Sequence, residues 1–444
     1  MNFHLQLLLL LTILIGVSKI AGHLCQRYLN QPVVFGEIFA GLLLGPTVLN
    51  ILQWPVFSSS STALHGMVNA LANIGVMLLM FIAGLETDLA QLRKVGKVAI
   101  ASAVSGVFLP LVLGVLTAFF FGFSFAEAIF IGVVLTATSV SISAQTLMEI
   151  KQLGSREGTV IMGAAVIDDV LGIIVLAFTM AFTLPKASMN SDAHAPLVGL
   201  VSRNIASLLH LPAGNGMLSI TITVVLMAIF FLLVYLIGSR GLRRVFLFTE
   251  HMHASHMIAA TALVLVFLAS FLAEYVGQVA AITGAYLIGI LIARTSYRQK
   301  IESEIHPFTY ALFVPIFFMS IGLEANARDL SGSWVFVGMI ILVAILTKIL
   351  GCGLGARFSG FTNVESIRVG IGMISRGEVG LIIAQIGIAA GIIDSAVYAG
   401  MVLMVLVTTV ITPILLRLSF PHLPEVQTEV YESVVGIEQD NEQR

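Results

Sequence analysis

The stretch Ile161 to Leu176, IMGAAVIDDVLGIIVL, carries two adjacent aspartates, Asp168 and Asp169, inside an otherwise apolar, glycine-punctuated run. With its flanks the run is long enough to cross the hydrocarbon core of a bilayer, where a carboxylate is expensive and two side by side need a reason. Consecutive residues on a helix point about 100° apart, so the two acids cannot share one environment. One can face a water-filled cavity while the other faces a neighbouring helix. That geometry suits one ion ligand and one internal partner.

Composition fixes the class around this stretch. Of 444 residues 58% are hydrophobic and 10% charged, with a mean hydropathy of +1.02, against roughly 25% charged residues in soluble domains. The chain reads as an all-α polytopic membrane protein. Apolar stretches of bilayer length fall at about 3–22, 32–51, 68–86, 95–121, 125–148, 158–184, 217–238, 256–275, 278–294, 307–323, 333–356, 364–391 and 395–416, which predicts about 13 transmembrane helices. The first has no basic residue before its apolar core and continues through Ile20, so it reads as a membrane helix and not a signal peptide. Cys25 lies between apolar runs and Cys352 inside one, which supports neither a disulfide framework nor a metal cluster.

Lysine and arginine give the orientation. With the N-terminus outside, 16 of the 22 fall in cytoplasmic segments, 3 (Lys186, Arg203, Arg328) in external loops, and Lys19, Lys348 and Arg376 inside apolar stretches. The asymmetry predicts N-out and C-in, with an odd number of spans, in the cell membrane. The acidic tail, 421–444, is then cytoplasmic, and its polar composition predicts disorder.

An internal repeat is visible in the sequence. Phe81-Ile82-Ala83-Gly84-Leu85-Glu86 recurs as Met319-Ser320-Ile321-Gly322-Leu323-Glu324, and the Gly36/Gly41 spacing recurs as Gly284/Gly289. The copies lie seven spans apart, so they run in opposite directions, the inverted-repeat signature of secondary transporters. In the repeat register, Leu135 to Ser143 (LTATSVSIS) corresponds to Met373 to Gly380 (MISRGEVG), and each puts small, hydroxylated or charged residues at a bilayer centre. Both read as discontinuous helices. Their crossing would bring half-helix ends, the Thr138 and Ser139 hydroxyls and backbone carbonyls beside the aspartates.

The other intramembrane charges fit around that centre. Lys348 is alone in Ile341 to Leu350, and an isolated ammonium there must lose its proton or find an acid, with Asp168 or Asp169 the evident partner. Arg376 and Glu378 are expected to offset the half-helix dipoles and each other. Glu37, in the glycine-rich second stretch, is a secondary candidate that could pack on another span or lie near a funnel mouth. Glu86, Glu274 and Glu324 read as interfacial acids, and His251, His253 and His256 as a solvated loop. An intramembrane aspartyl protease would need aspartates facing each other from different helices, whereas these are neighbours on one. A channel is the other class to weigh, and the repeat with broken helices argues for alternating access instead.

Ala165-Val166-Ile167-Asp168-Asp169-Val170-Leu171-Gly172, with Thr136 to Val140, Thr347-Lys348-Ile349-Leu350-Gly351-Cys352-Gly353 and Ser375-Arg376-Gly377-Glu378-Val379-Gly380, resembles the bacterial monovalent cation:proton antiporters of the NapA and GerN types over residues 1 to about 418. The resemblance implies a NapA/NhaA-like antiporter fold of thirteen helices. It further implies a homodimer working by elevator-like movement, with a mobile core at about 95–184 and 333–417. Dimerisation or scaffold helices would lie at about 3–86 and 256–323, and a linker helix at about 217–238, within a transmembrane domain of 1–420. By the same resemblance Asp169 binds the cation (sodium, with lithium or potassium as alternatives), and Asp168 pairs with Lys348. An Asp-Asp pair stands here where potassium efflux relatives have glutamine before the aspartate. The expected activity is electrogenic exchange of two protons in for one cation out, the second proton coming from Lys348 if an arriving cation draws Asp168 away and leaves the ammonium without its partner. The expected partners are sodium ions, protons and lipid; no cofactor, nucleic acid or enzymatic role is called for.

Overall fold

The computed structural model describes residues 2–420 except 30, 88, 184–215, 251, 253–254, 278, 325–333 and 390. Among those residues the regular structure is helical throughout. In order the helices are α1 (Phe3–Leu29), α2 (Val33–Leu44), α3 (Ser61–Glu86), α4 (Leu89–Phe120), α5 (Phe125–Thr136), α6 (Val140–Glu149), α7 (Arg156–Thr183), α8 (Gly216–Arg240), α9 (Leu242–Glu250), α10 (Met257–Tyr275) and α11 (Ala281–Ile292). They continue with α12 (Arg298–Phe308), α13 (Val314–Glu324), α14 (Trp334–Phe358), α15 (Asn363–Gly372), α16 (Glu378–Ala389) and α17 (Ser395–Ser419).

Nine helical stretches among the described residues are long and apolar enough to cross a bilayer. Four shorter apolar helices, Val33–Leu44, Val224–Leu236, Ala281–Ile292 and Val379–Ile388, fall on the second, seventh, ninth and twelfth sequence stretches. Several boundaries move. Helix α2 stops at Gly45, because the following Pro46 disfavours helical geometry in the residue before it. The tenth stretch reaches back to Arg298, since α12 passes through Pro307 into a π turn at Thr309–Phe313 and on into α13; the proline lacks the N–H that an α-helix interior requires. Helix α9 has no counterpart among the sequence stretches. It buries Leu242, Phe246 and Thr249 on one side and leaves Arg243 and Arg244 exposed.

The two discontinuous helices match in detail. Ser124 and Glu127 form a capping box at the start of α5, and Thr362 and Glu365 form the same box at the start of α15. One step of 238 residues relates these positions (124 to 362, 127 to 365), and it also carries the first residue of α6 onto the first of α16 (140 to 378). Gly132 lies against the Leu111 carbonyl and Gly370 against the Ile349 carbonyl, the same step again (132 to 370, 111 to 349).

Glycine contacts between the repeats are reciprocal. Gly84 of α3 lies against Gly289 of α11, and Gly322 of α13 lies against Gly41 of α2, so each repeat meets the other through equivalent residues. A two-fold axis relating the halves generates that exchange, as inverted repeats require. At these points backbone meets backbone with no room for a side chain, the close approach that binds helices where lipid offers no hydrophobic drive.

Helix α14 shows how sequence sets the inward face. Leu342, Leu346, Leu350 and Leu354 recur every fourth residue and are exposed, a stripe suited to lipid, whereas Ala344, Thr347, Lys348, Gly351, Cys352 and Gly355 are buried. Gly351 and Gly355 lie against the backbone of α4 at Ser105 and Ala101, and the Ser105 hydroxyl donates to the Gly351 carbonyl at 2.7 Å. The only side chain of α14 that could be charged at mid-helix is thereby turned into the protein.

Candidate functional site

Helix α7 carries both aspartates, and the turn between them separates their surroundings as their adjacency requires. Asp168 is 2% exposed, and both its oxygens accept from the Lys348 ammonium at 3.2 Å; Lys348 is fully buried and passes Gly106 of α4. Two charges out of water need this close, doubly bonded geometry to survive. Asp169 is half-buried and turns the other way. It lines a small cleft with Met80, Val140, Met162, Ile282 and Thr283, and its Oδ2 accepts from the Thr283 hydroxyl at 3.1 Å.

The discontinuous helices cross beside it. The Ser139 amide donates to the Ser375 carbonyl at 2.9 Å, and the Ser375 hydroxyl donates back to the Ser139 carbonyl, so the two breaks satisfy each other's backbone. Ser143 donates to the Gly372 carbonyl at 2.6 Å. Arg376, fully buried, donates to the Met373 and Ile374 carbonyls at 3.2 and 2.9 Å and to Ala344 of α14 at 3.3 Å. Its charge sits at the carbonyl end of α15, where a cation offsets the helix dipole. Its own carbonyl accepts from Thr409 of α17.

Thr138 is 5% exposed and its hydroxyl has no hydrogen-bond partner among the described residues. An orphaned buried hydroxyl two residues from Val140, which lines the Asp169 cleft, is an oxygen available to a ligand. The Ser139 hydroxyl, by contrast, shares a hydrogen bond with Ser141 at 3.1 Å. Among the described residues no three His, Cys, Asp or Glu side chains come together as a metal cluster. A cation at Asp169 would meet that carboxylate and the Thr283 hydroxyl, oxygen ligands of the kind that suit alkali ions.

Other candidates lie elsewhere. Glu37 accepts from Ser18 at 2.9 Å and pairs with Lys19 at 3.5 Å, both on α1. His256 is exposed and pairs with Glu304 at 3.1 Å; His251 and His253, the side chains of Glu378 and Glu324, the 186–216 loop up to residue 215 and the 421–444 tail lie outside the described residues. Two contacts have no sequence signal. Thr283 is one hydroxyl in an apolar stretch, and Glu149 at the end of α6 accepts from the Val33 and Val34 amides at 2.6 and 3.3 Å, supplying partners for N–H groups at the start of α2. Each joins residues more than a hundred positions apart.

Comparison with known proteins places the chain in a family. The transmembrane sodium/hydrogen exchanger family matches residues 9–418. The chain is 36% identical to the Na(+)/H(+)-K(+) antiporter GerN of Bacillus cereus, over 94% of this chain and 96% of that protein. It is 33% identical to a Na(+)/H(+) antiporter of Enterococcus hirae, over 92% of this chain and 96% of the relative. The solved structure of the sodium proton antiporter MjNhaP1 from Methanocaldococcus jannaschii shares the fold with a TM-score of 0.61 at 15% identity, covering 95% of this chain and 99% of that one. With most of its length matched, the chain belongs to the sodium/hydrogen exchanger family.

Proposed function

We propose that this protein exchanges sodium for protons by alternating access, with Asp169 as the carrier carboxylate. The observation that supports this most is the division of labour within α7: Asp168 is held by Lys348 inside the protein, while Asp169 opens on a cleft beside two crossed, interrupted helices. A carboxylate can hold either a proton or a cation, so the two compete for one site and each is carried only when the other has left. The orphaned Thr138 hydroxyl adds a neutral oxygen to the cation's shell.

In the proposed cycle an arriving cation draws Asp168 toward it, and Lys348, stripped of its partner in a dry interior, releases a second proton. One cation then displaces two protons and the cycle moves net charge, coupling it to the membrane potential by about 2.3 kcal/mol per charge per 100 mV. The moving core would comprise α4 to α7 and α14 to α17, working against α1 to α3 and α10 to α13, in a homodimer in the cell membrane with the N-terminus outside. Single cysteines at Ser58 and Ser303, in a background lacking Cys25 and Cys352, should label from opposite faces of sealed vesicles; labelling from one face rejects that topology. Purified protein should run at twice the monomer mass, and a monomer rejects the dimer.

Sodium is the first reading, and potassium the second, because the relative GerN is named for both. Liposomes carrying the protein, tested separately with sodium, lithium and potassium for dissipation of an imposed pH gradient, decide the cargo. A pH gradient untouched by all three rejects antiport.

A further inference from the structure

The hydrogen bond from Thr283 to Asp169 crosses between what would be the two moving parts of the transporter. Asp169 rides on α7, whose neighbour Asp168 is fixed to α14 through Lys348. Thr283 rides on α11, which is packed against α3: Gly289 of α11 lies against Gly84 of α3, and the Tyr286 and Thr87 hydroxyls share a hydrogen bond at 3.2 Å. Thr283 and Tyr286 lie three residues apart on one face of α11, and both line the Asp169 cleft. Each end of the bond is thus held by a well-packed body, and relative movement of those bodies must break it.

We infer that Thr283 is a latch that holds the unloaded, anionic Asp169 against α11 and lets go when a proton or cation arrives. The inference rests on Asp169 being the carrier. A hydroxyl donates most strongly to a charged carboxylate, and a proton or a coordinated cation on that oxygen weakens or displaces the bond. The latch is therefore tightest in the one state that an exchanger must not allow to cross, the empty carrier. Thr283 acts as a positioning residue: it restrains the carrier and keeps cation and proton movements tied together.

The test uses full-length protein in liposomes, comparing the parent with Thr283→Val, which keeps the shape and removes the hydroxyl, and Thr283→Ser, which keeps the hydroxyl. Losing a competitor for Asp169 should lower the apparent KM for sodium by about tenfold in Thr283→Val. The number of protons moved per sodium should also fall below the parent value, because the empty carrier can now return. Thr283→Ser should match the parent in both readouts. A contact that only packs would slow turnover and leave KM and coupling ratio alone, and that result overturns the latch. So does a folded but inactive Thr283→Val, or valine and serine variants that behave alike. Thr283→Ala replaces the valine variant should that one fail to fold. Asp169→Asn run in parallel separates the two ideas: surviving exchange there rejects the carrier, while a dead Asp169→Asn beside an unaltered Thr283→Val rejects only the latch.

Discussion

Breaking the Asp168–Lys348 pair from either side should harm the protein more than removing both charges. The two groups are 3.2 Å apart with their side chains 1% and 0% exposed, so at an effective dielectric of about 20 their attraction is about 5 kcal/mol. Much of this offsets the loss of hydration of the two ions, and what a single substitution exposes is an uncompensated buried charge, which costs about 3–5 kcal/mol. Lys348→Gln and Asp168→Asn should each lower the thermal unfolding midpoint of the detergent-purified protein. The double variant, with neutral amides able to bond each other, should recover most of the loss. Such recovery is the signature of direct coupling in a double-mutant cycle. If the double variant lost the sum of the two single effects, the charges would not be stabilising each other and the pair would be incidental. The same Lys348→Gln protein tests the proposed second proton: any exchange that survives should become insensitive to an imposed potential.

Asp169→Asn should insert normally, match the parent in thermal midpoint within a few degrees and lose exchange entirely, because an amide can hold neither a proton nor a bare cation; more than a small residual transport rejects the site. Thr138→Val should raise the apparent KM for sodium by about threefold to tenfold, the loss of one oxygen ligand worth about a kcal/mol. Ser139→Ala should have a smaller effect, since that hydroxyl already bonds Ser141, and equal effects of the two would show that their surroundings do not matter. Gly84→Ala puts a methyl about 3.0 Å from the Gly289 Cα with only backbone to yield, so it should destabilise the protein by about 1–3 kcal/mol as overpacking does. A thermal midpoint unchanged from the parent contradicts that close approach.

What the sequence made legible was whatever hydrocarbon penalises. Asp168, Asp169, Lys348 and Arg376 stand out because a charge in an apolar run must be explained, and the two charges with an obvious need for a partner, Lys348 and Arg376, are answered by an acid and by helix-end carbonyls. The breaks after Thr136 and Gly372 were visible as small and hydroxylated residues where a helix interior should be apolar. Repeat symmetry surfaced as glycine spacing, because backbone contact tolerates nothing larger. Thr283 left no such trace. A threonine satisfies its hydroxyl on its own helix in many apolar spans, as Thr347 does with the Val343 carbonyl at 2.6 Å, so nothing in the sequence marks the one that reaches across to Asp169. Helix ends were blurred for a similar reason: α12 is carried through Pro307 by a π turn, and local pattern reads proline as a stop.

The number of protons exchanged for each cation tests the account at its centre, since it asks whether Asp169 and Lys348 both release one. Liposomes would be held at zero potential with a pH difference of about one unit, and the sodium gradient at which net flux vanishes would be found. Two protons per sodium places that null point at about a 100-fold sodium gradient, because each tenfold ratio is worth about 1.4 kcal/mol and two protons count twice. A null at about tenfold, one proton per sodium, would contradict the proposed role of Lys348 and leave Asp169 as the only group that trades a proton for the cation.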